Sequence, residues 1–286
     1  MGIANKLKNA ITGGDWFVAY REIGQENWEL VTLPDNQWCA DPFVVEDGPD
    51  HYIFVEQYLK DKDKGCIGYF KFMDGKPVNQ GIIIENTYHM SYPDVFRYKG
   101  QYYMIPESSA NSTVDLYIAD HFPDKWHKVK TLISGQKYVD STVWQDGESY
   151  YLISYSMTAG FEIHVFLLDM EKQEVKLLSK KKYEKNIGRP GGRLFLEDGK
   201  LMRPAQDCSR KYGEALIIYQ VDDLNRDGKF VEHEVSRMKA ETVNLHIHPE
   251  RLHQLTRSNQ YEVIDAYKER FDPSHFIKIL IRSHRK

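Results

Sequence analysis

Ala40-Asp41-Pro42-Phe43-Val44-Val45, a turn at Gly48, and then Tyr52-Ile53-Phe54-Val55-Glu56 form the stretch on which the reading of this chain depends. An acidic residue opens a β-branched run, a glycine marks a tight turn, and an aromatic-rich run returns. Together these are the signals of a β-hairpin. The phrase comes back as Tyr92-Pro93-Asp94-Val95-Phe96, Gly100 and Tyr102-Tyr103-Met104-Ile105-Pro106-Glu107. A third copy is Val139-Asp140-Ser141-Thr142-Val143-Trp144, Gly147 and Tyr150-Tyr151-Leu152-Ile153. The fourth is Gly188-Arg189-Pro190-Gly191-Gly192-Arg193-Leu194-Phe195, Gly199 and Leu201-Met202-Arg203. The fifth and most divergent is Leu252-His253-Gln254-Leu255, Asn259 and Tyr261-Glu262-Val263-Ile264-Asp265.

Other strand-like runs fill the gaps: 65–70, 114–119, 163–167 and 215–219. A spacing of roughly 50 residues with about four strands per unit is the pattern of a β-propeller. The expected fold is therefore all-β, a five-bladed β-propeller with short terminal helices, and Trp16–Leu33 is expected to complete the last blade. The expected divisions are an N-terminal basic amphipathic segment over 1–14, the propeller over 15–271, and a C-terminal basic amphipathic helix over 272–286. Ile3, Leu7 and Ile11 recur at helical spacing around Lys6 and Lys8, with Gly13-Gly14 as a stop. Asp272-Pro273 reads as an N-cap and first helical position ahead of Phe276, Ile277 and Ile279–Ile281. Such ends suit docking on the propeller or peripheral membrane contact, and both readings stay open.

Composition agrees with the fold and narrows the partners. The chain has 286 residues, 13% of them aromatic, and aromatic side chains favour half-buried pleated surfaces. A formal net charge of -4 argues against nucleic acid as a partner. Cys39, Cys66 and Cys208 are odd in number and lack paired metal spacing, so reduced thiols in a cytoplasmic protein are expected. No secretory h-region opens the chain, and no run approaches the ~20 apolar residues of a membrane span.

In a propeller the first strand of each blade lines the central axis, so the residues that open the phrases converge. These are Asp41, Asp94, Asp140, Arg189, Arg193 and His253. Asp41 and Asp140 stand seven residues before their turn glycines and Asp94 stands six before Gly100, which reads as three equivalent carboxylates. Aspartate and proline at strand starts are also ordinary turn residues. A set of three facing one axis, with arginines and a histidine, is costly unless used, because like charges raise one another's pKa. Glu56 and Glu107 close their phrases and add further carboxylates. His89 precedes the second phrase. Arg203, Gln206 and Asp207 follow the fourth in a polar run able to hold sugar hydroxyls or phosphate. No Gly-rich phosphate loop and no His-Glu-x-x-His pair is present. No metal-ligand cluster is legible, although a divalent cation on the axis near His253 is compatible with the fold.

The Ala-Asp-Pro-Phe, Ser-Tyr-Pro-Asp-Val and Val-Asp-Ser-Thr-Val series resembles the five-bladed glycosidases of glycoside hydrolase family 43. Ser91-Tyr92-Pro93, Ile105-Pro106-Glu107-Ser108, Phe122-Pro123-Asp124-Lys125-Trp126 and Arg203-Pro204-Ala205-Gln206-Asp207 resemble more closely the N-terminal domain of glucosamine inositolphosphorylceramide transferases. The hydrolase resemblance implies Asp41 as general base and Asp140 as the residue that tunes the acid and orients substrate. The family's general acid opens a later blade, but here Arg189-Pro190-Gly191-Gly192-Arg193 stands in its place. A glycoside leaving group needs a proton, whereas a phosphate leaving group needs cations, and arginine forks match phosphate oxygens. One expectation is therefore transfer of a sugar from a phosphate-activated donor in surface-glycan synthesis. It places the enzyme in the cytoplasm, at the inner face of the membrane, with Arg189, Arg193 and Arg203 on the phosphate. Two alternatives stand beside it: an inverting hydrolase with Glu107 as acid, and a non-catalytic glycan-recognition module.

Overall fold

The structure is a computed structural model and describes residues 12–271. The expected terminal helices over 1–11 and 272–286 lie outside the described residues. Residues 12–14 do not belong to a terminal segment: β1 (Thr12–Glu22) already contains Gly13 and Gly14, so the glycine pair lies within a strand. β2 (Glu29–Leu30) follows.

Four sheets then occur in chain order. Blade 1 is β3 (Gln37–Asp47), β4 (Asp50–Leu59), β5 (Lys64–Met73) and β6 (Lys76–Ile84). Blade 2 is β7 (Ser91–Tyr98), β8 (Gln101–Ser108), β9 (Thr113–His121) and β10 (Lys125–Ser134). Blade 3 is β11 (Tyr138–Asp146), β12 (Ser149–Ser156), β13 (Glu162–Asp169) and β14 (Glu174–Lys182). Blade 4 is β15 (Phe195–Glu197), β16 (Lys200–Asp207), β17 (Ala215–Leu224) and β18 (Phe230–Lys239). Blade 5 combines the two ends of the chain in the order β19 (Leu255–Arg257), β20 (Tyr261–Phe271), β1, β2. Thr12 pairs with Phe271 and Glu22 with Tyr261, so the N-terminal strand closes the ring.

The strands form because apolar residues alternate, and the alternation sends successive side chains to opposite blade faces. On β8, Tyr102 and Met104 pack toward blade 1, while Tyr103 and Ile105 pack toward blade 3. Among the described residues the core is accordingly five clusters, one at each seam between neighbouring blades. The inner strands of blades 4 and 5 are shorter than the phrases suggest, at three residues each. Upstream of β15, Pro190 makes only an isolated bridge to Ala205, and Gly191-Gly192 follows it. A proline without an N–H and two glycines do not sustain a ladder. That irregular stretch faces the axis where the other blades present strand starts.

Candidate active site

Three inner strands carry the same defect. Between Ala40 and Phe43 on β3, Ser91 and Asp94 on β7, and Val139 and Thr142 on β11, one extra residue bulges out of the ladder. The bulge residues Asp41, Tyr92 and Asp140 all adopt left-handed backbone, at φ 51°, 47° and 51°. For non-glycine residues such conformations cost about 1–3 kcal/mol and persist only where the surroundings enforce them. Here carboxylates do so. The N–H of Asp41 donates to Asp265 Oδ2 at 3.1 Å, that of Tyr92 to Asp41 Oδ2 at 3.2 Å, and that of Asp140 to Glu107 Oε2 at 3.3 Å.

The equivalence of Asp41, Asp94 and Asp140 is thereby corrected: Tyr92, not Asp94, matches the other two. Asp94 lies one step further along the channel and is fully buried. It accepts the Val143 N–H at 2.6 Å and binds Arg193 at 2.6 Å, and the Arg193 guanidinium lies over Phe43. Tyr92 closes the channel above this layer. Its hydroxyl accepts the Gly192 N–H at 2.9 Å and meets Thr142 Oγ1 at 2.8 Å.

Asp41, Asp140, Glu107, Glu56, Arg189, Gln206, His253 and His89 come together above this plug. Arg189 binds Asp140 through Nε, and through Nη2 at 3.2 Å, with Glu107 3.9 Å away. Gln206 Nε2 donates to Asp140 at 2.8 Å and to the Pro190 carbonyl at 2.7 Å. Glu107 accepts from Ser109 Oγ at 2.6 Å. Burial, then the charge of Asp140, pushes the Glu107 carboxyl up to about 7 against the opposing pull of Arg189. Asp41 also lies well above the usual carboxylate range. Burial is the main cause, with Glu56, Asp140 and Asp265 adding to it and His253 opposing. His89 Nδ1 accepts the Gly65 N–H at 3.0 Å, so its Nε2 carries the proton that faces Glu56 at 3.1 Å.

Besides Asp94 and Arg193, which lie beyond Tyr92, two more of the expected binding residues lie elsewhere. Arg203 is a buried structural arginine. It binds Glu232 at 2.7 and 2.8 Å, the Gly188 carbonyl at 3.2 Å and the Tyr183 hydroxyl at 3.0 Å. Asp207 points away from its neighbour Gln206, as strand alternation requires, and pairs with Arg237 and Ser209. All three arginines named from the sequence thus already bind carboxylates, and only Arg189 does so at the pocket.

Asp265, Tyr212 and Trp16 were not singled out from the sequence. Trp16 stacks on His253 at 4.1 Å, and Tyr212 meets the same imidazole edge-on at 5.0 Å. Tyr212 also lies over Arg189, at 5.2 Å, and is 40% exposed, so it stands at the solvent edge of the cluster. Burial presses the His253 pKa down, but Asp265 and then Asp41 more than offset this, and it ends raised. Among the described residues, Asp41, His253 and Asp265 form a trio with ligand atoms within 4.8 Å of one another. Asp265 is already committed, and the trio keeps only His253 Nε2 and Asp41 Oδ1, 3.4 Å apart, as possible donors to a cation. A carboxylate has about four lone-pair sites. Asp265 uses them on the N–H groups of His253 (3.1 Å), Gln254 (3.0 Å) and Asp41 (3.1 Å), and on His253 Nδ1 (2.5 Å). The trio is a positioning relay that fixes His253 against Asp41.

Fold and pocket together define a five-bladed propeller with an axial cluster of buried carboxylates. The solved structures it resembles include the exo-beta-1,3-galactanase from Phanerochaete chrysosporium with beta-1,3-galactotriose. That match has a TM-score of 0.60 at 12% identity and covers 88% of this chain and 64% of that one. The GH43_1 enzyme from Xanthomonas citri complexed with xylose matches with a TM-score of 0.57 at 12% identity, over 84% and 88% of the two chains. At such identities the likeness is one of fold. The chain belongs to the glucosamine inositolphosphorylceramide transferase 1, N-terminal family, whose model matches residues 6–261. It is 32% identical over 225 residues to glucosamine inositolphosphorylceramide transferase 1 of Arabidopsis thaliana, a match over 75% of this chain and 29% of that relative. The match to the Oryza sativa subsp. indica protein of the same name is 32% over 204 residues, or 68% and 27% of the two. The chain therefore spans less than a third of the length of these relatives.

Proposed function

We propose that the chain is a carbohydrate-active enzyme that moves a sugar at the axial pocket during assembly of a surface glycan or glycolipid. The observation that carries this reading is the convergence of Asp41, Asp140 and Glu107, two of them on strained, equivalent bulges, around one pocket. Asp41, steadied by His253, takes the proton of the attacking hydroxyl. Asp140, pinned by Arg189 and Gln206, orients sugar hydroxyls and raises the pKa of Glu107. The names of the full-length relatives support transfer as the outcome. The finer reading is a phosphate-activated donor, used in the cytoplasm at the inner face of a membrane. Its phosphate would bind the Arg189 N–H groups that Asp140 leaves over, since a guanidinium has five donors. A second reading, hydrolysis of a neutral glycoside, is favoured by Glu107, whose carboxyl, raised to about 7, keeps a protonated fraction near neutrality that can protonate an alkoxide.

A thermal-shift screen sets nucleotide sugars and sugar phosphates against neutral oligosaccharides, with Arg189→Ala, Glu107→Gln and Asp41→Asn alongside. Stabilisation by phosphorylated donors that disappears in Arg189→Ala is the result expected for transfer from such a donor. Stabilisation by neutral oligosaccharides alone, with turnover that needs Glu107, moves the assignment to hydrolysis. Asp41→Asn is expected to abolish turnover in either case. Sugar binding without any turnover in the wild type would refute catalysis and leave a recognition module.

A further inference from the structure

A groove of about 550 Å³ opens beside the axial pocket, where blade 5 meets blade 1. Its walls include the start of β1, the end of β20 and the start of β3, all at the Asp41 end of the ring. Three of the five tryptophans of the chain line it: Trp38 is half-buried, whereas Trp16 and Trp28 are buried, with Arg21 over the Trp28 ring. Trp16 is a shared wall, since it also stacks on His253 in the axial pocket. Trp38 is backed by Tyr58, at 4.3 Å with the rings 7° from parallel. Tyr58 in turn lies 6.2 Å from His89, the partner of Glu56. The polar groups in the groove include both signs. Asp15 binds Lys60 at 2.8 Å and Arg270 at 3.3 Å, and Lys60 also donates to the Asp35 carbonyl at 3.0 Å.

Aromatic faces with a few convergent polar groups are the usual make-up of a small-molecule site, and the volume falls within the usual range of about 300–1,000 Å³. Mixed charges disfavour a strongly ionic ligand, and ions in the wall disfavour a purely alkyl one. Donors and acceptors beside flat apolar faces suit a sugar, whose C–H faces pack on rings while its hydroxyls bridge charges. Trp38 precedes Asp41 by three residues, about 10 Å along an extended strand. We infer that the groove is a second carbohydrate subsite, which holds a neutral sugar of the same glycan whose reacting sugar occupies the axial pocket. This inference rests on the carbohydrate reading of that pocket.

The test is calorimetric titration of the full chain with galactose, beta-1,3-galactotriose and xylotriose as probes. Wild type, Trp38→Ala, Trp38→Phe and Lys60→Ala are compared, and a thermal melt of each establishes its folding. The expected result is that wild type binds at least one trisaccharide more tightly than galactose. Trp38→Ala then loses about tenfold or more of the trisaccharide affinity and leaves galactose binding unchanged. Trp38→Phe, which keeps a ring, retains most of the preference, and Lys60→Ala loses part of it. A trisaccharide preference that survives Trp38→Ala overturns the groove alone, as does equal affinity of wild type for galactose and both trisaccharides. Absence of binding to all three probes counts against the axial pocket as a carbohydrate site, and the groove falls with it.

Discussion

At Glu107 the pocket's structural and chemical demands meet in a single carboxyl, which accepts the strained Asp140 N–H and is itself buried beside Asp140. Its pKa rises from the usual 4.5 to about 7 on folding. Between those values the folded chain holds a proton that the unfolded chain has lost. The resulting stability is fully present below pH 4.5 and is lost as pH rises through about 7. The total is about 3 kcal/mol, at 1.36 kcal/mol per pKa unit. Glu107→Gln is therefore expected to flatten the decline in melting temperature between pH 5 and pH 8 and to melt above wild type at pH 8. Parallel melting curves across that range would refute the raised pKa. An acid role would also make wild-type activity fall above about pH 7. Much of this site was legible at the residue level: Asp41, Glu107, Asp140, Arg189, Gln206 and His253 were all named from the chain alone. Tyr92 is not legible this way, because the aspartate pattern pairs Asp94 with Asp41. Alignment on Pro42 and Pro93 places Tyr92 opposite Asp41, as the bulges do.

At the scale of the element, the repeat was legible because each hairpin carries its own period-2 pattern and turn glycine. Pairings made between strands were not. The partner of Arg203 is Glu232, on the outer strand β18, which no inner-strand phrase includes, so a buried pair looked like a free phosphate ligand. The irregular opening of blade 4 likewise carries the pattern of a regular strand. Gly192 shows why its composition is specific. Its φ is +125°, and a Cβ there would lie 1.9 Å from the Leu255 carbonyl oxygen, at the seam with blade 5. Its N–H also donates to Tyr92, so a shift of this backbone reaches the channel plug. Gly192→Ala is expected to cost about 2–4 kcal/mol, read as a lower denaturant midpoint, and to weaken ligand binding at the pocket. A midpoint within error of wild type would show that the seam yields without cost.

For the whole molecule, stability depends on closing the ring, because the core is a circle of seams and each blade is packed from both sides. β1 gives Val18 and Tyr20 to the seam with blade 1 and Ala19 to the seam with blade 4. Burying a large apolar side chain is worth about 1.5–3 kcal/mol. Trp16, Val18 and Tyr20 together thus approach the about 5–15 kcal/mol of a whole domain. A chain lacking residues 1–22 is expected to lose its cooperative thermal transition by circular dichroism. A truncated chain that melts like the intact one would show that four blades and a half-blade suffice. The closure also has a mechanical meaning. Thr12 and Phe271 are paired neighbours at one end of an eleven-rung antiparallel ladder. Tension between the two ends therefore loads those rungs one after another, from the site face inward, as a zipper is loaded. Any tether that draws the ends apart opens the ring first beside Trp16, and so disturbs the pocket before the far blades register the pull.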